Sequence, residues 1–303
     1  MNALVTNPLV SIVIPVYNRE LYIEDAIRSA ISQTYQNIEI IIVDNCSTDS
    51  TWNILNTWAR KDDRIKVFQN KENLGPVLNW NECFKRASGE YLKILWSDDW
   101  ISPTFVEKCL SFFKRDTAFV LSGYQITTGD DTLLEVSYEK RDYTVIEYLN
   151  NILLYNKEAF PLSPGCAMFR TEDILSSFIV DIPNSDSLDS KQNGAGNDLL
   201  LFLNTAVNYT YISTVPGVDS YFRAHGGSFS IAGKLDLYYE WSKVFFIKKH
   251  LHKTLYEDIR KMYYLKKSIT QKKYFKLACS LNFSSSFFEA LLFIIKCNLQ
   301  YNK

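Results

Sequence analysis

Histidine is scarce in this chain: His225, His250 and His252 are the only three in 303 residues, too few for a histidine-rich metal centre. The six cysteines, Cys46, Cys83, Cys109, Cys166, Cys279 and Cys297, are widely spaced and form no Cys-x-x-Cys pair. That excludes a zinc module and gives no disulfide framework, so they read as reduced thiols of a cytosolic protein. No Gly-x-Gly-x-x-Gly turn follows the first apolar run, and no Gly-x-x-x-x-Gly-Lys-Ser/Thr loop occurs anywhere. A dinucleotide oxidoreductase and a P-loop NTPase are therefore not expected. The N-terminus lacks a basic start leading into an apolar core and a small-residue cleavage site, so no signal peptide is expected. In the last third, the longest apolar run, residues 290–295, falls far short of the ~20 residues needed to cross a bilayer.

What is present suits a globular protein with a substantial core: 47% of residues are hydrophobic and 22% charged. The net charge of −1 conceals an asymmetry. Residues 1–233 hold 19 basic against 29 acidic side chains, whereas residues 234–303 hold 14 against 5. No aromatic-basic interleaving marks a nucleic-acid module, so nucleic acid is not an expected partner. The basic C-terminal region could instead meet an anionic membrane surface, or simply form solvated helix faces.

Short runs rich in β-branched residues at 9–14, 38–43, 65–68 and 91–95 predict four strands. Between them lie helical patterns. Ile23, Ala26, Ile27, Ala30 and Ile31 share one face; Trp52, Leu55, Trp58 and Ala59 form a stripe after the capping residues 47–50; and Pro76 and Ser102-Pro103 begin two further helices. Alternation at this spacing predicts an α/β fold, a mainly parallel central sheet with helices on both faces. In the second half we expect a helix over 145–154, strands over 165–169, 209–215 and 217–222, a mobile polar loop over 184–197, a helix from about Asp198, and helices beyond Lys234.

In such sheets ligands bind beyond the carboxyl ends of the strands. That rule gathers residues 15–18, 44–45 and 97–99 on one rim. Asp98 and Asp99 stand side by side where the fourth strand ends. Adjacent carboxylates repel each other, and a divalent cation relieves that repulsion. The plain alternative is a solvated acidic turn or a helix-capping pair. With no glycine-rich cradle, a bound diphosphate would need a hard cation held by one or two carboxylates plus phosphate oxygens.

Pro15-Val16-Tyr17-Asn18, Asp44-Asn45-Cys46-Ser47-Thr48-Asp49, Asn73-Leu74-Gly75, Ser97-Asp98-Asp99, Asn197-Asp198 and residues 221–228 resemble the successive motifs of the family 2 glycosyltransferases with the GT-A fold. The resemblance implies inverting transfer of a hexosyl or N-acetylhexosaminyl group from a nucleotide-diphosphate sugar, usually a UDP-sugar, with Mn²⁺ or Mg²⁺. It places Pro15, Tyr17, Asn18, Asp44 and Gly75 around the nucleotide, with Asp44 accepting the uracil imide hydrogen bond. Asp98 falls near the ribose, Asp99 on the metal, and His225 within reach of the metal or diphosphate. The bland readings are a strand-ending turn for Pro15 and Tyr17, a helix cap for Asp44 and a structural role for His225.

Inversion requires the acceptor hydroxyl to lose its proton, and Asp198 is the candidate base, with Asp186 and Asp189 as competitors and helix capping as the alternative role. Where the family often has Glu-Asp, this chain has Asn197-Asp198. Trp96 and Trp100, flanking the acidic pair, could stack on sugar rings, though Trp is more often buried. The expected organisation is a GT-A domain over 1–233, with a nucleotide half at about 8–120 and an acceptor half at about 121–233, followed by a basic helical region over 234–303. The implied setting is synthesis of a surface polysaccharide or glycolipid on a saccharide or lipid-linked saccharide acceptor, in the cytoplasm or at the inner face of its membrane. A non-catalytic nucleotide-sugar or glycan-binding relative is the alternative; it need not keep Asp44, Asp98, Asp99 and Asp198 together. A sugar nucleotidyltransferase would want a basic, glycine-rich phosphate loop after strand one, and none is present.

Overall fold

The computed structural model describes residues 7–139, 141–155, 160–184, 188–226 and 235–251, together with Glu257, Ile259 and Tyr263. Its chain divides into two compact units, one comprising Met1–Tyr148 and Pro161–Phe246, the other Leu149–Phe160 and Ile247–Lys303. The site lies in the first.

The first unit is organised on a mixed sheet. Its strands are β1 (Val10–Val16), β2 (Ile38–Asp44), β3 (Ile65–Gln69), β4 (Tyr91–Ile94), β5 (Trp100–Ile101), β6 (Thr117–Thr128), β7 (Asp131–Val136), β8 (Asp142–Thr144), β9 (Ala167–Arg170) and β10 (Tyr211–Arg223). They run in the order β3-β2-β1-β4-β9-β6-β10-β5, with β7 on β6 and β8 on β10. Strands β1 to β4 pair in parallel, as alternation with helices requires. Strand β9 is antiparallel to both β4 and β6, which makes the sheet mixed.

Strands β1 and β2 are buried along their whole length, as expected for parallel strands covered on both faces. Helix α1 (Ile23–Ile31) buries Ile23, Ala26, Ile27 and Ala30 against this core. Helix α2 (Thr51–Ala59) buries Leu55 and Trp58. Helix α3 (Pro76–Phe84) opens with proline in its first turn after Gly75, whose φ of +81° suits glycine. Helix α4 (Phe105–Phe112) buries Phe105, Val106 and Cys109. Then come α5 (Val145–Asn150), α6 (Thr171–Ser177), α7 (Asn197–Ala206) and α8 (Asp236–His250).

Three differences from the sequence reading matter. The 12-residue strand β6 is absent from it, although residues 117–124 are buried without interruption and join β9 to β10. The two strands expected at 209–222 are one strand, β10, whose register against β6 shifts around Val215–Val218, where Pro216-Gly217 relaxes the pairing and Gly217 takes φ +85°. The expected mobile loop is, over its described residues 188–196, a packed turn. Asp189 caps the short helix Ser190–Gln192 by accepting from the Lys191 N–H at 3.1 Å, and a side chain added at Gly194 would lie 2.0 Å from the Trp80 ring. Asp186 lies outside the described residues.

Candidate active site

The last residues of β1, β2 and β3 form one row: Val16 pairs with Asp44, and Asp44 with Gln69. Asp44 is fully buried there, and its carboxylate accepts from the Ser47 N–H at 3.1 Å, from the Ser47 hydroxyl and from Gln69 Nε2 at 2.8 Å. A carboxylate has about four acceptor directions, so capacity remains for one further donor. Pro15 is buried beside this row and Tyr17 is exposed at its lip. Asn18 (φ +49°) accepts from the Thr48 N–H at 2.8 Å, and its own N–H donates to Ser47 Oγ at 2.9 Å, so its polar groups stitch the two strand-end loops together.

Asn45 does the same for the third loop. It donates to Asn73 Oδ1 at 2.7 Å and accepts from the Leu74 N–H and from Asn70 Nδ2, both at 3.0 Å. Asn70 also donates to Asn79, which donates to the Val43 carbonyl. The rim is thus tied to the start of α3, and Gly75 sits at that junction with the Lys191 carbonyl 3.4 Å from where its Cβ would be.

After β4 the chain turns through Trp96 to the acidic pair. Asp99 points inward and accepts the Arg223 N–H at 2.8 Å; Asp98 points toward Arg19 Nε at 3.3 Å and His225 Nε2 at 3.0 Å. Burial, and then the Asp98 charge, push the Asp99 carboxyl well above the usual carboxylate range, against the pull of the Arg223 N–H and the charges of Lys93 and Arg223. Lys93 itself is fully buried on β4: it donates to the Gly165 carbonyl, its Nζ lies 4.2 Å from the centre of the Phe105 ring, and burial lowers its pKa to about 8. The Tyr22 ring stacks on His225 with centroids 4.7 Å apart. Arg223 lies over Tyr22 and Trp100 and pairs with Asp25 at 2.7 Å.

This pair suits a cation shared with a ligand better than a protein cage. Two hard carboxylates stand side by side, yet no group of three or more His, Cys, Asp or Glu residues able to hold a metal occurs among the described residues. His225 lies on Asp98 rather than on Asp99.

Both tryptophans pack on neighbouring side chains and stay partly exposed. Trp96 packs against Trp80 with centroids 4.8 Å apart, donates to Ser163 Oγ at 2.8 Å and lies where a side chain at Gly165 would be. Trp100 is held between Tyr221, parallel at 5.4 Å, and Arg223.

Asp198 occupies the first turn of α7. Its Oδ1 accepts the N–H groups of Gly196 at 2.8 Å and Leu199 at 2.7 Å, and its Oδ2 accepts the Tyr239 hydroxyl at 2.9 Å. Burial lifts its pKa to about 7 in spite of these three donors. Asn197 is buried and donates to the carbonyls of Ile179 and Val180 at 2.7 and 2.9 Å. Arg19 and Tyr239 are the site residues the sequence reading missed. Arg19 directly follows Pro15–Asn18, and that adjacency was the available signal; Tyr239 had none.

A mixed sheet with Asp44, Asp98 and Asp99 beyond the carboxyl ends of its parallel strands is the arrangement of a GT-A-type glycosyltransferase fold. The family model described as "Glycosyl transferase family 2" matches residues 11–176, and the chain belongs to that family. It is 31% identical over 223 residues to the Escherichia coli UDP-Glc:alpha-D-GlcNAc-diphosphoundecaprenol beta-1,3-glucosyltransferase WfaP, covering 73% of this chain and 80% of that one. It is 41% identical over 129 residues to the putative teichuronic acid biosynthesis glycosyltransferase TuaG of Bacillus subtilis, covering 42% and 51%. The chain spans about half the length of several curated relatives it matches. Among solved structures, S. aureus TarS with UDP-GlcNAc superposes with a TM-score of 0.65 at 21% identity, covering 84% of this chain and 70% of that one. The mannosyltransferase PcManGT from Pyrobaculum calidifontis, in complex with GDP-Man and Mn²⁺, gives 0.60 at 16% identity, covering 97% and 81%. These two likenesses speak to fold.

Proposed function

We propose that this protein is an inverting glycosyltransferase that uses Mn²⁺ or Mg²⁺ to move a sugar from a UDP-sugar to a saccharide or lipid-linked saccharide in surface polysaccharide or glycolipid synthesis. The observation that carries the reading is the adjacent Asp98–Asp99 pair, with Asp99 buried, beyond the carboxyl ends of the strands whose row holds Asp44. The WfaP name, a UDP-Glc-dependent transferase acting on a diphosphoundecaprenol-linked sugar, supports the donor and acceptor classes.

Asp44 accepts the imide N–H of uracil, with Pro15 and Tyr17 beside the base and Gly75 and Asn18 shaping the rim. Asp98 lies toward the ribose, and Asp99, with His225 near, would hold the cation; when bound, that ion neutralises the diphosphate and so makes it a better leaving group. Arg19 places a further positive charge at Asp98. Asp198 takes the proton of the acceptor hydroxyl as that oxygen bonds to the anomeric carbon and the carbon–phosphate-oxygen bond breaks, releasing the nucleoside diphosphate. With a pKa of about 7 it is near the value at which a general base works best at neutral pH.

The basic C-terminal region supports peripheral attachment to an anionic membrane surface. Lys248 and Lys249 are exposed, whereas Phe246 and Tyr263, two of the aromatic residues available for apolar contact, are buried. The other members, Lys253, Lys261, Lys266, Lys267, Lys272, Lys273, Tyr264, Phe283, Phe287 and Phe288, lie outside the described residues. No helix among the described residues is long and apolar enough to cross a membrane.

Three outcomes are expected. Asp99→Asn should abolish Mn²⁺-stimulated turnover of a UDP-sugar and leave the circular dichroism spectrum unchanged; full wild-type activity in EDTA would defeat the metal reading. Asp198→Asn should lower transfer by roughly 10²- to 10⁴-fold at little cost in UDP affinity, and wild-type transfer should fall as pH drops through about 7, where Asp198 gains the proton it must accept. Loss of UDP binding instead would move the base elsewhere, with Asp189 and Asp186 next. Liposome co-sedimentation should require anionic lipid and weaken with salt, at ~1 kcal/mol per engaged lysine, and should vanish when lysines 248, 249, 253, 261, 266, 267, 272 and 273 become glutamine. Equal binding to neutral vesicles would refute the attachment.

A further inference from the structure

The Asp198 carboxylate is held differently at its two oxygens. Oδ1 takes the Gly196 and Leu199 N–H groups, contacts any acidic residue in a first helical turn can make. Oδ2 takes the Tyr239 hydroxyl, 41 residues further along the chain on α8. Capping requires no such partner. The approach of α8 is fixed by backbone: a Cβ at Gly196 (φ +88°) would lie 2.9 Å from the Tyr238 carbonyl oxygen and 3.1 Å from Ser242 Cβ, so a bare glycine lets the helix in. Ser242 is fully buried and donates to the Tyr239 carbonyl at 2.7 Å.

We infer that Tyr239 is a positioning residue for transfer: its hydroxyl fixes the direction of Asp198 Oδ2 and favours the ionised carboxylate that accepts the acceptor's proton. This rests on the reading of Asp198 as the base. Burial and the Asp198 charge raise the Tyr239 pKa far above its ordinary value, so the phenol stays protonated and donates. Other charged groups on the elements around Asp198 are engaged elsewhere. Glu240 and Lys243 on α8 lie 3.6 Å apart, Lys191 pairs with Asp181 at 2.8 Å, Asp189 caps its own turn, and Asp236 is exposed at the start of α8. Tyr239 is accordingly the one titratable side chain hydrogen-bonded to Asp198 among the described residues.

The test is the pH profile of transfer in the full chain carrying Tyr239→Phe, with UDP affinity measured by calorimetry. Losing a donor to the carboxylate should move the acid limb of kcat/KM upward by roughly half to one pH unit. Transfer should fall about two- to fivefold at pH 7 and less than twofold at pH 9, with the donor KM and UDP affinity unchanged. A loss that is the same at every pH, with the limb in place, would reduce Tyr239 to packing and overturn the inference. Should Tyr239→Phe fold poorly, 3-fluorotyrosine at 239, a stronger donor of the same shape, decides: the limb should move down, and an unmoved limb overturns the inference. Asp198→Asn separates the two claims. If that variant transfers like the wild type, the base assignment fails; if it is inactive while the Tyr239→Phe limb is unmoved, only the positioning role fails.

Discussion

Two carboxylates at the end of β4 set the terms for what surrounds them. Asp99 is buried and Asp98 is beside it, and neither placement is tolerable without compensation drawn from several directions. The Arg223 N–H comes from the last residue of β10, Arg19 from the loop after β1, His225 from just beyond β10, and Lys93 from within the sheet. Much of the odd topology serves this convergence. Strand β5, two residues long, pairs with Ser220 and Tyr221 and so brings the segment just after the acids against the end of β10.

The opposite side of the rim is built from neutral hydrogen bonds. Asn18, Asn45, Asn70, Asn73 and Asn79 join three loops that otherwise share no secondary structure. Buried amides are costly unless satisfied, so such a network holds its loops, and Asp44 with them, in one arrangement. Asp198, by contrast, stands on a later helix, and its burial is why its acidity differs so much from that of an ordinary aspartate.

The nucleotide half was legible because its signals are local. Strands β1 to β4 are short apolar runs, and Asp44, Asp98 and Asp99 sit where those runs stop. Strand β6 escaped because its buried first residues, 117–124, hold only two β-branched side chains, Thr117 and Val120, and β10 read as two strands because Pro216-Gly217 interrupts it. Trp96 and Trp100 flank the acids in sequence, but their rings pack on Trp80, Tyr221 and Arg223, partners no spacing rule identifies. Arg19 looked like any polar residue after a turn. Tyr239 lay beyond the boundary drawn at residue 233, while the compact unit that holds the site continues to Phe246.

The central claim is that the acidic pair holds its cation jointly with the donor's diphosphate. Electron paramagnetic resonance of Mn²⁺ titrated into the full chain tests this directly, because the aqueous ion gives a sharp signal that coordination broadens. The account predicts little loss of the free-ion signal with protein alone, and strong loss when UDP and protein are both present beyond what UDP alone produces. Equal loss with and without UDP, or no effect of the protein in either case, would contradict it.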